Sequence, residues 1–257
     1  GTVMQSTVQN PLAEPYILGI SSGASLGATF AVFMGTHFAF IGNTSSISVL
    51  SFLGSLAATA GVLTMASIGG TMTSGKLILS GTVINAICSS FSNFIISMAG
   101  DGTGMMSIKF WTMGSLTRAK WNNLFWPFLV VLCCCVFFLT QYRNLNTMLL
   151  GDEAASTLGV NLAFYRKLYM VVAALLTGII VSTCGVIGFV GLMVPHISRA
   201  LAGADHRRLL PVTILLGGIF LTWADAFARI VIPNGELAIG IVTSMIGAPF
   251  FAYILVR

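Results

Sequence analysis

Long apolar stretches, each close to the length of a membrane-spanning helix, follow one another along the whole chain and are separated only by short polar segments. A helix that crosses the hydrocarbon core of a bilayer needs about 20 predominantly apolar residues. We place eight such spans near 22–42, 47–71, 77–99, 122–141, 167–186, 187–201, 210–230 and 237–256. The pattern predicts an all-α polytopic membrane protein in which residues 1–257 form a single transmembrane domain.

Charged residues are too scarce for a surface that faces water. They make up 7% of the chain, and the mean hydropathy is +0.94, whereas soluble domains carry about 25% charged residues. Membrane lipid is therefore the expected surrounding. The net charge of +5 comes with no lysine-rich tail and no alternation of aromatic and basic residues, so we expect no nucleic-acid partner.

The basic residues are distributed unevenly between the two sides that the eight spans define. Eight lie on one side and four on the other, and the richer side is predicted to be cytoplasmic. The eight are Lys76, Arg143, Arg166, Lys167, Arg199, Arg207, Arg208 and Arg257, and the four are Lys109, Arg118, Lys120 and Arg229. This orientation places 10–15, 151–159 and 205–208 together on the cytoplasmic face. On the outer side, Trp111 and Trp121 are expected at the level of the lipid headgroups.

The cysteines and histidines give no sign of a metal site. Three of the five cysteines, Cys133, Cys134 and Cys135, are consecutive inside an apolar run. Neighbours on a helix point about 100° apart, so these thiols cannot converge on one ion. No Ser-His-Asp combination can be assembled either. We expect no metal, no cofactor and no enzymatic activity in this chain.

The segment 144–165 is too polar to span and contains the pattern of a short helix. Asp152 and Glu153 would lie in its first turn, where the helix dipole favours acids. Ala154 and Ala155 follow, and Gly159 would form the C-cap. A short amphipathic helix on the membrane face can insert into a groove of another protein. We interpret 144–165 as a cytoplasmic coupling segment; the alternative is an ordinary interfacial loop.

Several motifs, taken together, resemble one family of membrane proteins. The Glu-Ala-Ala sequence followed three residues later by Gly is similar to the EAA loop of ABC-transporter membrane subunits, which docks into the ATP-binding subunit. NPLAEPYILGISSGASLGA, LILSGTVINAICSSF, FWTMGSL, GVIGFVGLMVPHISRALAGADHRRLLP and GELAIGIVTSMIGAPFFAYIL occur in the order typical of the FecCD, or vitamin B12 permease, family. The resemblance covers nearly the whole chain. Members of that family import iron-siderophore, haem or cobalamin chelates.

The resemblance implies an assembly. Family members have ten spanning helices, so the first helix and part of the second would be missing from this sequence. Two permease copies, or a pair of paralogues, would enclose the translocation path in the bacterial inner membrane as multi-pass chains. ATP-binding subunits would supply the energy, and a substrate-binding protein would deliver the ligand. Small apolar residues are expected to line the path.

The resemblance also assigns residues to roles. Leu12 corresponds to a leucine that helps to close the cytoplasmic exit, and Thr73 and Ser74 correspond to a second exit gate, although a plain polar turn would explain them equally well. Arg229 corresponds to an arginine on which the substrate-binding protein docks. Arg229 could instead be an anchor that extends to the headgroups.

The remaining cluster of charge follows the sixth span. Arg199, Asp205, His206, Arg207 and Arg208 are interpreted as a cytoplasmic anchor and a second contact for the ATP-binding subunit.

Two other functions stay open. An ion-coupled secondary transporter would need intramembrane acids, and Asp225 is the candidate, although Arg229 four residues later can neutralise it. A structural membrane scaffold would have no use for the acidic turn at Asp152.

Overall fold

The chain folds into a bundle of helices whose bounds follow from a computed structural model. The structure describes residues 1–16, 18–37, 44–70, 72–99, 102–232 and 236–256, and within these ranges it contains twelve α-helices and no strand. The helices are α1 Thr2–Val8, α2 Ile20–His37, α3 Thr44–Ser67, α4 Ser74–Ala99, α5 Gly102–Thr112, α6 Trp121–Thr140, α7 Tyr142–Met148, α8 Asp152–Thr157, α9 Leu162–Cys184, α10 Val190–Ala202, α11 His206–Val231 and α12 Ile239–Val256. The all-α polytopic fold is confirmed.

Each of the eight predicted spans corresponds to one helix. Among the described residues, five segments are long and apolar enough to cross a membrane: Ser46–Ser67, Ser74–Met98, Asn123–Thr140, Leu162–Cys184 and His206–Val231. Ile20–Gly35 and Ile239–Ile254 are shorter apolar helices, and α10 has only 13 residues. Residues 38–42 and 71 of the predicted spans, and Arg257 of the charge count, lie outside the described residues.

Glycine allows α2 and α3 to cross with their backbones in contact. A Cβ atom on Gly27 would lie 2.1 Å from the carbonyl oxygen of Leu50, and one on Gly54 would lie 2.2 Å from that of Gly23. Real Cβ atoms do not approach other atoms so closely. Small residues at helix crossings are typical of membrane proteins, where close packing takes the place of a hydrophobic driving force between helices.

Among the described residues, the largest apolar core contains side chains from α1, α2, α3, α4, α6, α7, α9 and α11. Met4, Leu77, Leu145 and Met170 are fully buried within it. Tyr169 packs edge-on against Phe138 at 6.1 Å between ring centroids. Because α7 and α8 follow α6 directly, this core brings the end of α1, the start of α4, α7, α8 and the start of α9 together. We call this region the α8 end of the bundle.

At the opposite end of α9 the backbone is irregular, and its polar groups form hydrogen bonds with neighbouring segments. The N–H of Ser115 donates to the carbonyl of Cys184 at 2.7 Å, and the N–H of Gly240 donates to that of Met113 at 3.1 Å. Gly185 has a φ of 77°, and a Cβ there would lie 2.3 Å from the carbonyl oxygen of Trp111. Polar backbone groups at membrane depth need such partners because lipid offers none.

Two features differ from the sequence-based expectation. The segment 99–121, which was predicted to lie on the outer side, includes the helix α5, which was not predicted. Trp111 was expected at the headgroups but is 3% exposed and packs against Ala24, Ala28 and Val181, because α5 folds back onto α2. Trp121 is 89% exposed, which suits the interfacial position predicted for it.

Candidate coupling surface and inner gate

The helix α8 is short, begins with two acidic residues and is capped at its C-terminal end. Asp152 and Glu153 occupy its first turn. At its end the N–H of Gly159 donates to Ser156 at 3.0 Å and the N–H of Val160 donates to Ala155 at 3.1 Å. With Gly159 at a φ of 83°, this is a Schellman motif. The capping predicted for Gly159 is present.

One face of α8 is anchored and the other is exposed. Ala155 is fully buried, whereas Glu153, Ala154 and the two hydroxyl residues that follow Ala155 are exposed. Leu150 and Leu158, which flank the helix, are 64% and 63% exposed. The surface therefore offers one acid between two apolar side chains, an arrangement that suits insertion into a groove of a partner protein.

Asp152 points inward and meets a buried arginine. Its Oδ1 and Oδ2 accept from Arg166 at 2.8 and 3.1 Å, and Arg166 is only 2% exposed. The same guanidinium donates to the carbonyl of Thr7 at 3.2 Å, to the carbonyl of Met72 at 2.7 Å and to the hydroxyl of Ser74 at 3.0 Å. A buried charge needs both a counter-ion and further hydrogen bonds, and Arg166 has both.

A glutamine completes the attachment of α8. Gln9 is the C-cap of α1, in the left-handed region at a φ of 51°. Its side-chain amide donates to the carbonyl of Met148 at 3.0 Å and to Oδ1 of Asp152 at 2.7 Å. The end of α1, the end of α7 and the start of α8 are therefore joined at the base of α8.

The gate candidates lie on the two segments that border this network. Thr73 is exposed, and its hydroxyl accepts from the N–H of Lys76 at 3.4 Å at the start of α4. Ser74 is bonded to Arg166. Leu12 follows α1, is 40% exposed, and its N–H donates to Oδ1 of Asn10 at 2.9 Å. The roles of Leu12, Thr73 and Ser74 in gating remain predictions.

The turn between α10 and α11 contacts α7, the helix that precedes α8. Asp205 caps α11 by accepting from the N–H of Arg207 at 3.0 Å, and it also accepts from the amide of Asn146 at 2.7 Å. These two hydrogen bonds hold the pKa of Asp205 below its usual range because they favour the carboxylate. Arg207 and Arg208 are exposed, as a contact for a partner requires.

Two members of the predicted anchor are turned into the protein. His206 is fully buried; its Nδ1 lies 2.7 Å from Oδ1 of Asn146 and its Nε2 lies 2.7 Å from the hydroxyl of Ser6. Arg199 is half-buried and donates to the side-chain oxygen of Gln5. Both residues tie α10 and α11 to α1, so their side chains hold helices together.

At the other end of α11, Arg229 donates from Nε to Oδ2 of Asp225 at 2.8 Å. This is the (i, i+4) pair that the sequence suggested. Arg229 is 48% exposed, so it is accessible to a partner, and its docking role stays a prediction.

Within the described ranges, no group of three or more His, Cys, Asp or Glu side chains could hold a metal ion.

The contacts of Arg166, Asn146 and Gln9 were not predicted from the sequence. Arg166 was counted only as an orientation charge. Its position in the second turn of a spanning helix, beside the apolar residues of α9, was the available signal, because a charge there needs a partner. The partners lie between 14 and 159 residues away along the chain, so spacing could not identify them.

Comparison with known proteins places this arrangement in a family. The model of the FecCD transport family matches residues 1–257. The chain is 42% identical to the uncharacterized ABC transporter permease protein YvrB of Bacillus subtilis, over 100% of this chain and 72% of that protein. It is 38% identical to the hemin transport system permease protein HmuU of Yersinia pestis, over 100% and 76%.

Two further relatives extend the comparison. The cobalamin import system permease protein BtuC of Halobacterium salinarum is 37% identical over 99% of this chain and 67% of that protein. A solved structure described as an inward-facing conformation of a metal-chelate type ABC transporter superposes with a TM-score of 0.89 at 32% identity, over 98% of this chain and 79% of that one. The protein belongs to the FecCD transport family.

Proposed function

We propose that this chain is the membrane permease of an ABC importer in the bacterial inner membrane. ATP hydrolysis in a partner subunit would drive it, so the chain itself would carry out no chemistry. The observation that carries the proposal is α8, a capped helix whose exposed face combines Glu153 with Leu150 and Leu158. The hydrogen bonds of Asp152 hold its base to the bundle, so a force applied to α8 reaches the spanning helices.

Polar side chains on α4 support a path formed between two permease copies. Ser89, Ser90, Asn93 and Ser97 are exposed along this helix. Uncompensated polar groups are costly in lipid, so this face is suited to a second copy or paralogue, or to a water-filled path. A cavity of about 310 Å³ lies between α2, α4 and α5. Its polar lining includes Ser22, Ser25, Thr29, Asn85, Ser89, Ser92 and Asn93.

The substrate class follows from the relatives. Their names include haemin and cobalamin permeases and a metal-chelate transporter, so we infer an iron-siderophore, haem or cobalamin chelate as the cargo. The sequence predicted small apolar walls for the translocation path, and the cavity between α2, α4 and α5 is lined in part by hydroxyl and amide side chains. Within the described residues the hydroxyl of Ser92 is buried without a hydrogen-bond partner, which leaves it available to water or to a polar ligand.

The ion-coupled alternative loses its candidate acid. Asp225 is bonded to Arg229 at 2.8 Å, and a paired carboxylate is a poor ligand for a coupling ion. A purely structural membrane scaffold would not explain the exposed acidic and apolar residues of α8.

Copurification and transport test the proposal. We expect the full-length protein to retain an ATP-binding subunit, and proteoliposomes of the complex, given its binding protein, to take up a ferric siderophore, haemin or cobalamin only when ATP is hydrolysed. Uptake that persists when hydrolysis is blocked by vanadate would contradict it.

A charge reversal tests the role of α8. Glu153→Arg should lower the affinity for the ATP-binding subunit by about tenfold, which corresponds to about 1.4 kcal/mol. Glu236→Arg makes the same change at an exposed position beyond α11 and should leave the affinity unchanged. Equal retention of the subunit by both variants would exclude Glu153 from the docking surface.

A further inference from the structure

Arg166 uses every donor that an arginine possesses. A guanidinium carries five N–H donors in a rigid plane. Nε donates to Thr7, Nη1 donates to Met72 and Asp152, and Nη2 donates to Ser74 and Asp152. The side chain is therefore fixed by three different parts of the chain at once: the end of α1, the segment 72–74 and the start of α8.

The acceptors belong to two functional regions. Asp152 is the first residue of α8, the docking candidate. Met72 and Ser74 flank Thr73 at the start of α4, and Thr7 lies in the last turn of α1, ahead of Leu12. One guanidinium thus connects the coupling helix to both segments that carry the gate candidates.

The connection is suited to transmit displacement. Arg166 extends from α9, is 2% exposed, and has a planar group that cannot exchange one acceptor without disturbing the others. Oδ1 of Asp152 also accepts from the side-chain amide of Gln9 at 2.7 Å, so a shift of α8 pulls on the end of α1 through two links.

We propose that Arg166 is a positioning residue that transmits movement of α8 to the inner-gate segments at 72–74 and at the end of α1. This inference rests on the proposed function, because it requires an ATP-binding subunit that moves α8. In this proposal Asp152 joins α8 to Arg166, and Glu153 contacts the ATP-binding subunit.

Accessibility of Thr73 provides the readout. The full-length protein, with its native cysteines replaced by serine and Thr73→Cys introduced, is reconstituted with its ATP-binding subunit in nanodiscs. A hydrophilic maleimide then measures the labelling rate at position 73 with and without AMP-PNP. We expect the nucleotide to change the rate by about fivefold or more, the lower end of typical coupling between sites.

Three substitutions identify the link. Arg166→Lys keeps the charge but has three donors for five contacts, and Asp152→Asn keeps the shape while removing the counter-ion. In complexes that still contain the ATP-binding subunit, both substitutions should lower the nucleotide effect on the labelling rate at position 73 to less than twofold. Lys167→Arg, an exposed neighbour on α9, is the matched control and should behave like the parent.

Other results would refute either the proposed function or the link through Arg166. A parent that never retains the ATP-binding subunit refutes the proposed function, and the inference fails with it. A parent that retains the subunit but shows no nucleotide effect overturns the link alone, and so do substituted complexes that keep the parent's ratio. If neither substituted protein assembles, Arg166 serves stability only and the inference is wrong.

Discussion

The crossing of α2 and α3 makes a quantitative prediction about Gly27. In Gly27→Ala the new Cβ would lie 2.1 Å from the carbonyl oxygen of Leu50 and 3.0 Å from the Cα of Ser51. Ordinary contacts begin at 3.4 Å, so the helices must separate by more than about 1 Å, because neither obstacle is a side chain that can rotate away. Overpacking of this kind costs about 1–3 kcal/mol.

The cost is measurable as a shift of the melting temperature. Each kcal/mol lowers Tm by roughly 2–4 °C in a chain of about this size, so Gly27→Ala should melt about 2–12 °C below the parent in detergent. Gly218→Ala is the matched control, since a Cβ on this exposed glycine of α11 has nothing within 4 Å. Its Tm should be unchanged or higher, because alanine favours helix by about 0.5–1 kcal/mol over glycine. Equal melting of the two variants would refute the close crossing.

Three further predictions concern the ends of the bundle. Gly159→Ala should cost about 1–2 kcal/mol at the left-handed C-cap of α8, seen as faster hydrogen exchange in α8; unchanged exchange would exclude the Schellman motif. The lowered pKa of Asp205 in the folded state means that its contribution to stability is present above the ordinary carboxyl pKa and is lost as pH falls through the lowered value. Asp205→Asn should remove that part of the acid dependence of Tm, and an identical pH profile would contradict the cap. Arg229→Glu should weaken docking of the binding protein in a salt-dependent way, whereas Asp225→Asn, which frees Arg229, should not; equal effects would indicate that the pair serves the helix alone.

The hydropathy of the sequence predicted the fold because each spanning helix depends mainly on its own residues. Each spanning helix must satisfy its own backbone in lipid, so apolar runs map directly onto helices such as α4 and α6. Local chemistry also predicted the cap at Gly159 and the pair of Asp225 with Arg229, whose hydrogen-bond partners lie within five residues of each other.

Contacts between residues that are distant in the sequence could not be predicted from local patterns. Arg166 follows the positive-inside pattern, yet its carbonyl and carboxylate partners are brought together only by the packing of α1, α4, α8 and α9. Burial of His206 has the same origin, since its partners Asn146 and Ser6 lie 60 and 200 residues away. The sequence indicates that charge concentrates at this end of the bundle, and the three-dimensional arrangement decides which charges face inward.

The shortness of α10 has a consequence for how the protein enters the membrane. Its 13 residues rise about 20 Å, against a hydrocarbon core of about 30 Å. The stretch 185–189 that precedes it is not helical, and the N–H of Ser115 donates to the carbonyl of Cys184 at the end of α9. During synthesis α10 therefore cannot partition into lipid as an independent segment. We expect it to remain beside the insertion machinery until α11 emerges, so that α9, α10 and α11 are released as one unit.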